Sequence, residues 1–174
     1  MERFLEDRFT EELKTQAQFA AFALEDIHEA LLRRGAVDRI WFSIQNFLNA
    51  AANISKMLWP VKGQYTERGE FLRNKYDISA DSPLKSRRVR NCFEHFDEHL
   101  HEWTASLDNH SVIDRNIGPA HVWCPTGDMD NDRKYFLRNF DQAQYQLLFR
   151  GEEYSLGPVI SEIQRIVDKL ENSS

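Results

Sequence analysis

The chain has 174 residues, which is enough for one domain with a hydrophobic core of its own. Its formal net charge of −6 argues against a dedicated high-affinity nucleic-acid binder, because such proteins usually present a basic surface. No apolar run approaches the roughly 18 residues of a membrane span, and the N-terminal stretch carries charges of both signs, unlike a secretory signal. These features predict a cytoplasmic protein with no part in the membrane.

Two long amphipathic helices are predicted at the start of the chain. Apolar residues recur every three or four positions over residues 2–33, and a wider apolar stripe runs over residues 37–58, which indicates a central helix. Gly35 suits the position just past a helix end, and Pro60 ends the second helix. The connection is so short that the two helices must run antiparallel.

Two further helices are predicted before the middle of the chain. Residues 67–76 suggest a short third helix, and residues 83–107 form the fourth. Ser82 suits the N-cap of the fourth helix, and Pro83 suits its first position. The apolar residues of this helix step by four and three, as in a heptad seam. They are Val89, Phe93, Phe96, Leu100, Trp103 and Leu107.

The second half of the chain changes character. Glycine, proline, Asp and Asn are frequent over residues 108–133, which predicts an irregular excursion. Residues 135–140 and 144–149 are predicted strands, with 150–153 as the turn after them. A last amphipathic helix is expected over residues 158–170. The predicted fold class is therefore all-α, a bundle of four to five helices with a small β-hairpin before the C-terminal helix.

The chain contains no internal repeat and no linker that would divide it. We therefore predict one domain over residues 1–174. Its helical core would comprise residues 2–107 and 157–171, and residues 108–156 would form an insertion outside that core.

The segment Arg90-Asn-Cys-Phe-Glu-His95 carries the sharpest chemical signal in the sequence. In a helix that turns by about 100° per residue, Arg90, Asn91 and His95 project from the side away from the apolar seam. Arginine presents a planar fork to phosphate oxygens, and histidine transfers protons near neutral pH. This grouping is suited to phosphate chemistry.

The same residues resemble the HEPN superfamily of prokaryotic helical bundles. Its signature is an Arg, four to six residues and a His on a late helix, with a polar residue, often Asn, directly after the Arg. The long first helix and the second helix, rich in Ala and aromatic residues, also fit, and the likeness covers roughly residues 2–107. The resemblance implies a homodimer in which two copies of the motif meet across a two-fold axis.

The resemblance further implies that this composite site cleaves RNA without a metal ion, as it does in active HEPN proteins. By that analogy His95 moves the proton of the ribose 2′-OH or of the leaving oxygen, Arg90 stabilises charge in the transition state, and Asn91 orients the phosphate. The chain would then be a metal-independent endoribonuclease of a prokaryotic defence or toxin–antitoxin system. RNA and a protein antitoxin or regulator become the expected partners, and no cofactor is implied.

A second interpretation of these residues stays open. Arg90 and Glu94 are spaced as an i,i+4 ion pair, and carboxylates at Asp97, Glu98 and Glu102 would repel RNA. Some HEPN proteins are catalytically silent and serve as interaction or nucleotide-binding modules. The alternative function is therefore a non-catalytic dimeric module that uses the same face.

The sequence contains the Glu-x-x-His spacing of di-iron bundles twice, at Glu25 with His28 and at Glu98 with His101. Such sites project inward, but Glu98 and His101 lie away from the apolar seam. The second helix contains no Glu, although a di-iron bundle needs one there. We therefore expect no metal site.

His95 and His99 are spaced i,i+4 but lack the flanking ligands of a zinc-protease helix. His121 and Cys124 form a lone His-x-x-Cys, which is a poor zinc motif without a second pair. We interpret their segment as a loop that packs through Val122 and Trp123. Cys92 and Cys124, the two cysteines, are expected to be free thiols in a chain without an export signal.

Overall fold

The computed structural model of the chain describes residues 3–33, 35–86, 96–108, 111–124 and 126–171. These residues form two compact units. The first unit contains the described residues up to 86 together with 158–171, and the second contains those from 96 to 157. No α-helix within these ranges has both the length and the apolar character needed to cross a bilayer. The single-domain assignment stays a prediction.

The first unit is built on an antiparallel helical hairpin, as predicted. Helix α1 spans Arg3–Leu31, and helix α2 spans Val37–Leu58. Near the connection, Arg39 Nη2 lies 2.7 Å from Asp26 Oδ2, and farther along the hairpin Asn53 Nδ2 donates to Gln16 Oε1 at 3.1 Å. Gly35 has a φ of +82°, a left-handed conformation that favours glycine just past a helix end.

Helix α2 is the central helix of the first unit, also as predicted. More than half of its residues are buried, among them Ile44, Phe47 and Leu58. Helix α3, Thr66–Lys75, and helix α6, Gly157–Glu171, belong to the same unit apart from Gly157. One face of α6 is buried at intervals of three and four residues, which is why this segment folds as an amphipathic helix. Its buried residues are Val159, Ile163, Ile166 and Leu170.

The prediction that the fourth helix begins at Pro83 is wrong. Ser82 does cap the turn, since its side chain accepts a hydrogen bond from the Leu84 amide at 3.4 Å. However, Pro83–Lys85 forms only a 3₁₀ turn, and Ser86 is extended, with φ −63° and ψ 122°. Leu84 is buried, and the turn lies against α2. The predicted cap is therefore present, but the residues that it starts form a 3₁₀ turn instead of the first turn of an α-helix.

The second unit combines helix α4, Phe96–Ser106, with a four-stranded sheet. The strands are β1 (Asn116–Ile117), β2 (Arg138–Asp141), β3 (Gln146–Phe149) and β4 (Glu152–Ser155). They lie side by side in sequence order, with β1 parallel to β2 and the other neighbours antiparallel. A single helical turn, α5 (Met129–Asp132), lies between β1 and β2 in the chain.

The sheet corrects the predicted all-α fold class. The two predicted strands exist in shorter form as β2 and β3, but β1 and β4 extend the expected hairpin into a mixed sheet. Strand β4 contains two glutamates, a residue type depleted in strands, and buries only Tyr154. Strand β1 is two residues long and pairs in parallel with a distant segment, Asn116 opposite Asn139. Short strands of this kind leave no periodic signal in the sequence.

The turn between β3 and β4 is shorter than predicted. Arg150 and Gly151 have φ values of +51° and +78°, and they alone connect Phe149 to Glu152. Positive φ at both central residues is the requirement of a type I′ turn, whose twist matches that of the adjoining strands. Glu152 and Glu153 therefore belong to β4 instead of to the turn.

Candidate functional site

The three residues of the predicted catalytic motif, Arg90, Asn91 and His95, lie outside the described residues. Helix α4 follows them directly in the chain and is described from Phe96. Its buried residue is Trp103, whose Nε1 donates a hydrogen bond to the Lys134 carbonyl oxygen at 2.8 Å. The opposite side of α4 is exposed and mostly acidic. It carries Asp97, Glu98, His101 and Glu102.

A polar anchor in the second unit connects Asp108, just after α4, to the 3₁₀ turn Arg133–Tyr135 that precedes β2. Asp108 accepts hydrogen bonds from the Tyr135 hydroxyl at 2.6 Å and from Lys134 Nζ at 2.9 Å. The bond from Tyr135 and then that from Lys134 hold the pKa of Asp108 below its ordinary value. Hydrogen bonding to Asp108 in turn raises the pKa of Lys134. All three groups are engaged with one another, so we assign this anchor a structural role.

The segment that contains His121 and Cys124 folds around a buried carboxylate. Asp132 is fully buried, and its Oδ2 accepts from the Thr126 amide at 2.8 Å and from the Thr126 hydroxyl at 2.9 Å. Burial, and then the charges of Asp132 and Asp128, raise the pKa of the Cys124 thiol. A thiol held in its protonated form is a poor nucleophile.

The prediction that this segment packs through the side chains of Val122 and Trp123 is wrong, because both side chains are exposed. Val122 is 64% exposed, and Trp123 is 57% exposed. They lie on a 3₁₀ turn, Ala120–Trp123, whose three-residue repeat places successive side chains around the whole turn.

The Glu-x-x-His pairs are surface features. Glu25 and His28 are exposed on α1, and Glu98 and His101 are exposed on α4. In the part of the chain that the structure covers, no three His, Cys, Asp or Glu side chains come close enough to share a metal ion.

A cation–aromatic cluster on the first unit is the described feature with the most evident binding chemistry. Arg68 on α3 lies close to two rings: its Cζ is 4.2 Å from the centroid of Phe9, on α1, and 5.2 Å from that of Tyr65. We call these three residues the Arg68 cluster. Burial lowers the pKa of Arg68 from its ordinary value, while the neighbouring Tyr65 acts in the opposite direction. The guanidinium is thus partly removed from water yet stays a cation.

A second arginine on α3 fixes this helix against the end of α2. Arg73 donates a hydrogen bond to the Leu58 carbonyl oxygen, and its Cζ lies 5.6 Å from the centroid of the Trp59 ring. Gly69 makes this approach possible, because a Cβ atom at that position would lie 2.6 Å from the same carbonyl oxygen and 2.7 Å from Pro60 Cδ. The Arg68 cluster is therefore held on a closely packed helix.

Further cations and rings continue along α3. Lys75 Nζ donates to the Thr10 hydroxyl at 3.1 Å and lies 5.7 Å from the Phe71 ring centroid. Residues 56–76 contain five Lys or Arg residues and two Glu residues, in a chain with a net charge of −6. Residues 56–76 thus combine an excess of cations with aromatic rings, a pattern found where proteins bind single-stranded nucleic acid.

A polar network connects α6 to the segment between α3 and the 3₁₀ turn at Pro83–Lys85. Arg165 Nε donates to Glu162 Oε2 at 2.9 Å, and Lys169 Nζ donates to Asp77 Oδ2 at 3.0 Å. Burial raises the pKa of Glu162, but hydrogen bonds from Arg165 and Ser82 together with the charge of Arg165 outweigh it, so that the net pKa is lowered. Each of these charges has an opposite partner, which is typical of a structural network.

An open groove with a volume of about 390 Å³ lies along the outer side of the α1–α2 hairpin. Phe19 and Phe22 line it and are 52% and 60% exposed. Amide side chains also line it, namely Gln16 on α1 and Asn46, Asn49 and Asn53 on α2. The groove contains one carboxylate, Asp26, which pairs with Arg39. It offers a mixed apolar and amide surface without a group that performs acid–base chemistry.

Sequence reasoning missed the Arg68 cluster although one signal for it was present. The cluster joins Phe9 and Arg68, which are far apart in the chain, so spacing within one segment does not reveal it. The excess of cations over carboxylates in residues 56–76, against an acidic chain, does mark the region. Comparison with protein-family models, with curated proteins and with solved structures gives no match to this chain, so the HEPN resemblance rests on the motif and the helix order.

Proposed function

We propose that this chain is a HEPN-like protein that cleaves RNA as a metal-independent endoribonuclease, in the cytoplasm, within a prokaryotic defence or toxin–antitoxin system. The observation that carries the proposal is the position of Arg90, Asn91 and His95 in the chain. They directly precede α4 and follow a long antiparallel hairpin of α1 and α2, the helix order in which HEPN proteins carry this motif.

The proposed reaction needs only groups that the motif supplies. His95 takes the proton of a ribose 2′-OH, and the 2′ oxygen forms a bond to phosphorus while the bond to the 5′ oxygen breaks. The leaving oxygen takes up a proton, so the products carry a 2′,3′-cyclic phosphate and a 5′-OH. Arg90 stabilises the charge that develops on the phosphorane-like transition state, and Asn91 orients the phosphate.

We further propose that the active form is a homodimer with the two motifs facing each other across a two-fold axis. One histidine from each copy would then give a single site both a proton acceptor and a proton donor. A protein antitoxin or regulator would act by covering this shared face.

The direct test is cleavage of a panel of labelled RNAs in the presence of a chelator. The wild-type protein should yield ends with a 2′,3′-cyclic phosphate and should leave DNA of the same sequence intact. His95→Ala and Arg90→Ala should each lose roughly 10²–10⁴-fold in rate. His101→Ala is the matched control, because it removes an exposed histidine of α4 that lies outside the motif. This variant should cleave RNA at the wild-type rate.

One observation favours the alternative of a non-catalytic dimeric module. Asp97, Glu98 and Glu102 are exposed on α4, close to the motif in sequence, and carboxylates repel a phosphate backbone. Equal cleavage by wild type and His95→Ala, or no cleavage by either, would refute the enzyme proposal and favour a module that binds through the same face.

A further inference from the structure

Within the described part of the chain Arg68 has no acidic partner, whereas several other arginines are closely paired. Arg39, Arg138 and Arg165 each lie within 3.0 Å of a carboxylate oxygen. Among the residues that the structure describes, no carboxylate lies within 4.0 Å of Arg68, and none of its N–H groups donates a hydrogen bond. The Nε atom is buried without an acceptor. A buried donor without an acceptor is costly, so this nitrogen is held beside the two rings at a cost in free energy.

The geometry of the Arg68 cluster limits how a ligand can approach. Phe9 and Tyr65 have ring centroids 4.2 and 5.2 Å from Cζ, and Nε is buried, so the edge formed by the two Nη groups is the part left for a ligand. That edge is a fork of N–H donors, which matches the oxygens of a phosphate group better than a single oxygen acceptor. Rings that hold the fork in place reduce the entropy lost on binding.

The surroundings favour a phosphate that belongs to a nucleic-acid strand. Lys75 and Arg73 lie on the same helix, each within 6 Å of an aromatic ring centroid. The Tyr65 side chain is 42% exposed, so it offers a surface on which a base could stack. A line of cations tracks a phosphate backbone, and aromatic rings accept its bases without sequence preference.

We propose that the Arg68 cluster is a phosphate-binding site that holds the backbone of single-stranded RNA. This inference rests on the proposed RNA ligand of the chain, but it concerns a surface of α1 and α3 separate in sequence from the Arg90–His95 motif. In this arrangement Arg68 binds one phosphate through its fork, Tyr65 stacks with a neighbouring base, and Lys75 adds positive charge along the strand.

The test is RNA binding measured by fluorescence anisotropy with a labelled single-stranded oligonucleotide, in a His95→Ala background so that cleavage does not interfere. Arg68→Ala should weaken binding about tenfold, the effect of losing charge-assisted hydrogen bonds. It should also reduce the slope of log K against log salt by about 0.7, the value for one phosphate contact to a single strand. Arg68→Lys keeps the charge but not the fork, so it should show a smaller loss of affinity and an unchanged slope.

Arg39→Ala is the matched control, because Arg39 also lies over a ring, Phe42, but is paired with Asp26. It removes the same charge and should leave the affinity unchanged, and thermal unfolding should show that all variants are folded. Wild-type affinity in both Arg68 variants, an equal loss in Arg39→Ala, or no RNA binding by the parent protein would overturn the inference. A nucleoside monophosphate that binds as tightly as the oligonucleotide would also overturn it, since the ligand would then be a free nucleotide. RNA binding that depends on Arg68 without any RNA cleavage by the wild-type protein would refute the proposed enzyme and leave this site standing.

Discussion

Replacing Gly69 with alanine should destabilise this protein, although the same change stabilises most helices. A Cβ atom at Gly69 would lie 2.6 Å from the Leu58 carbonyl oxygen and 2.7 Å from Pro60 Cδ. One of these atoms is backbone and the other belongs to a proline ring, so neither can rotate away. Helix α3 would have to move from the end of α2, which would lengthen the hydrogen bond from Arg73 to Leu58.

The expected magnitude follows from three contributions. In a helix interior, alanine is more favourable than glycine by about 1 kcal/mol in the free energy of helix formation. Forced backbone shifts in a well-packed region cost about 1–3 kcal/mol, and loss of the Arg73 hydrogen bond costs about 1 kcal/mol more. The net destabilisation is therefore about 1–3 kcal/mol, which for a chain of this length lowers Tm by roughly 2–12 °C.

The control for this change is Gly63→Ala, measured in the same thermal unfolding assay. No atom lies within 4 Å of a Cβ at Gly63, so alanine should leave Tm unchanged or raise it slightly by restricting the unfolded chain. A Gly69→Ala protein that melts at or above the wild-type temperature would refute the reasoning, as would an equal fall in both variants.

Three further predictions concern pH, assembly and metal. The pKa of Glu162 is lowered from its ordinary value of 4.5, so the ionised carboxylate stabilises the fold fully at a pH above 4.5. This stabilisation is lost as the pH falls through the lowered pKa of the folded state. Glu162→Gln should therefore lower Tm at neutral pH and approach the wild-type Tm in strong acid, whereas a constant difference at every pH would contradict this. Sedimentation should show a homodimer at protein concentrations of roughly tens of micromolar, and a monomer there would count strongly against the proposed face-to-face motifs. Elemental analysis should find no stoichiometric zinc or iron after dialysis, and about one metal ion per chain would revive the Glu-x-x-His interpretation.

The helices of the first unit could be predicted because their signals are local. The period of three to four apolar residues, Gly35 and Pro60 gave α1 and α2 nearly to the residue. The N-cap at Ser82 was also predicted correctly, but the helix expected after it was wrong at its start. A cap signal indicates that a turn begins, but it does not determine whether that turn is α-helical or 3₁₀.

The two candidate sites also differ in whether the sequence alone could predict them. Arg90, Asn91 and His95 lie within six consecutive residues, so the sequence alone can suggest this motif. Its geometry stays a prediction. The Arg68 cluster brings α1 and α3 together through Phe9 and Arg68, which no local spacing connects. Only the folded chain brings Arg68 on α3 close to the rings of Phe9 and Tyr65.

By itself, the sequence determined where the long helices lie and which of their faces are buried, because helical periodicity is written in neighbouring residues. Tertiary structure alone decided that residues 108–156 contribute to a four-stranded sheet. Strand β1 is stabilised by its partner β2, and β4 by β3, through backbone hydrogen bonds that almost any side chain permits. Such pairings depend on which segments meet in the folded chain, and that information is not contained in any one segment.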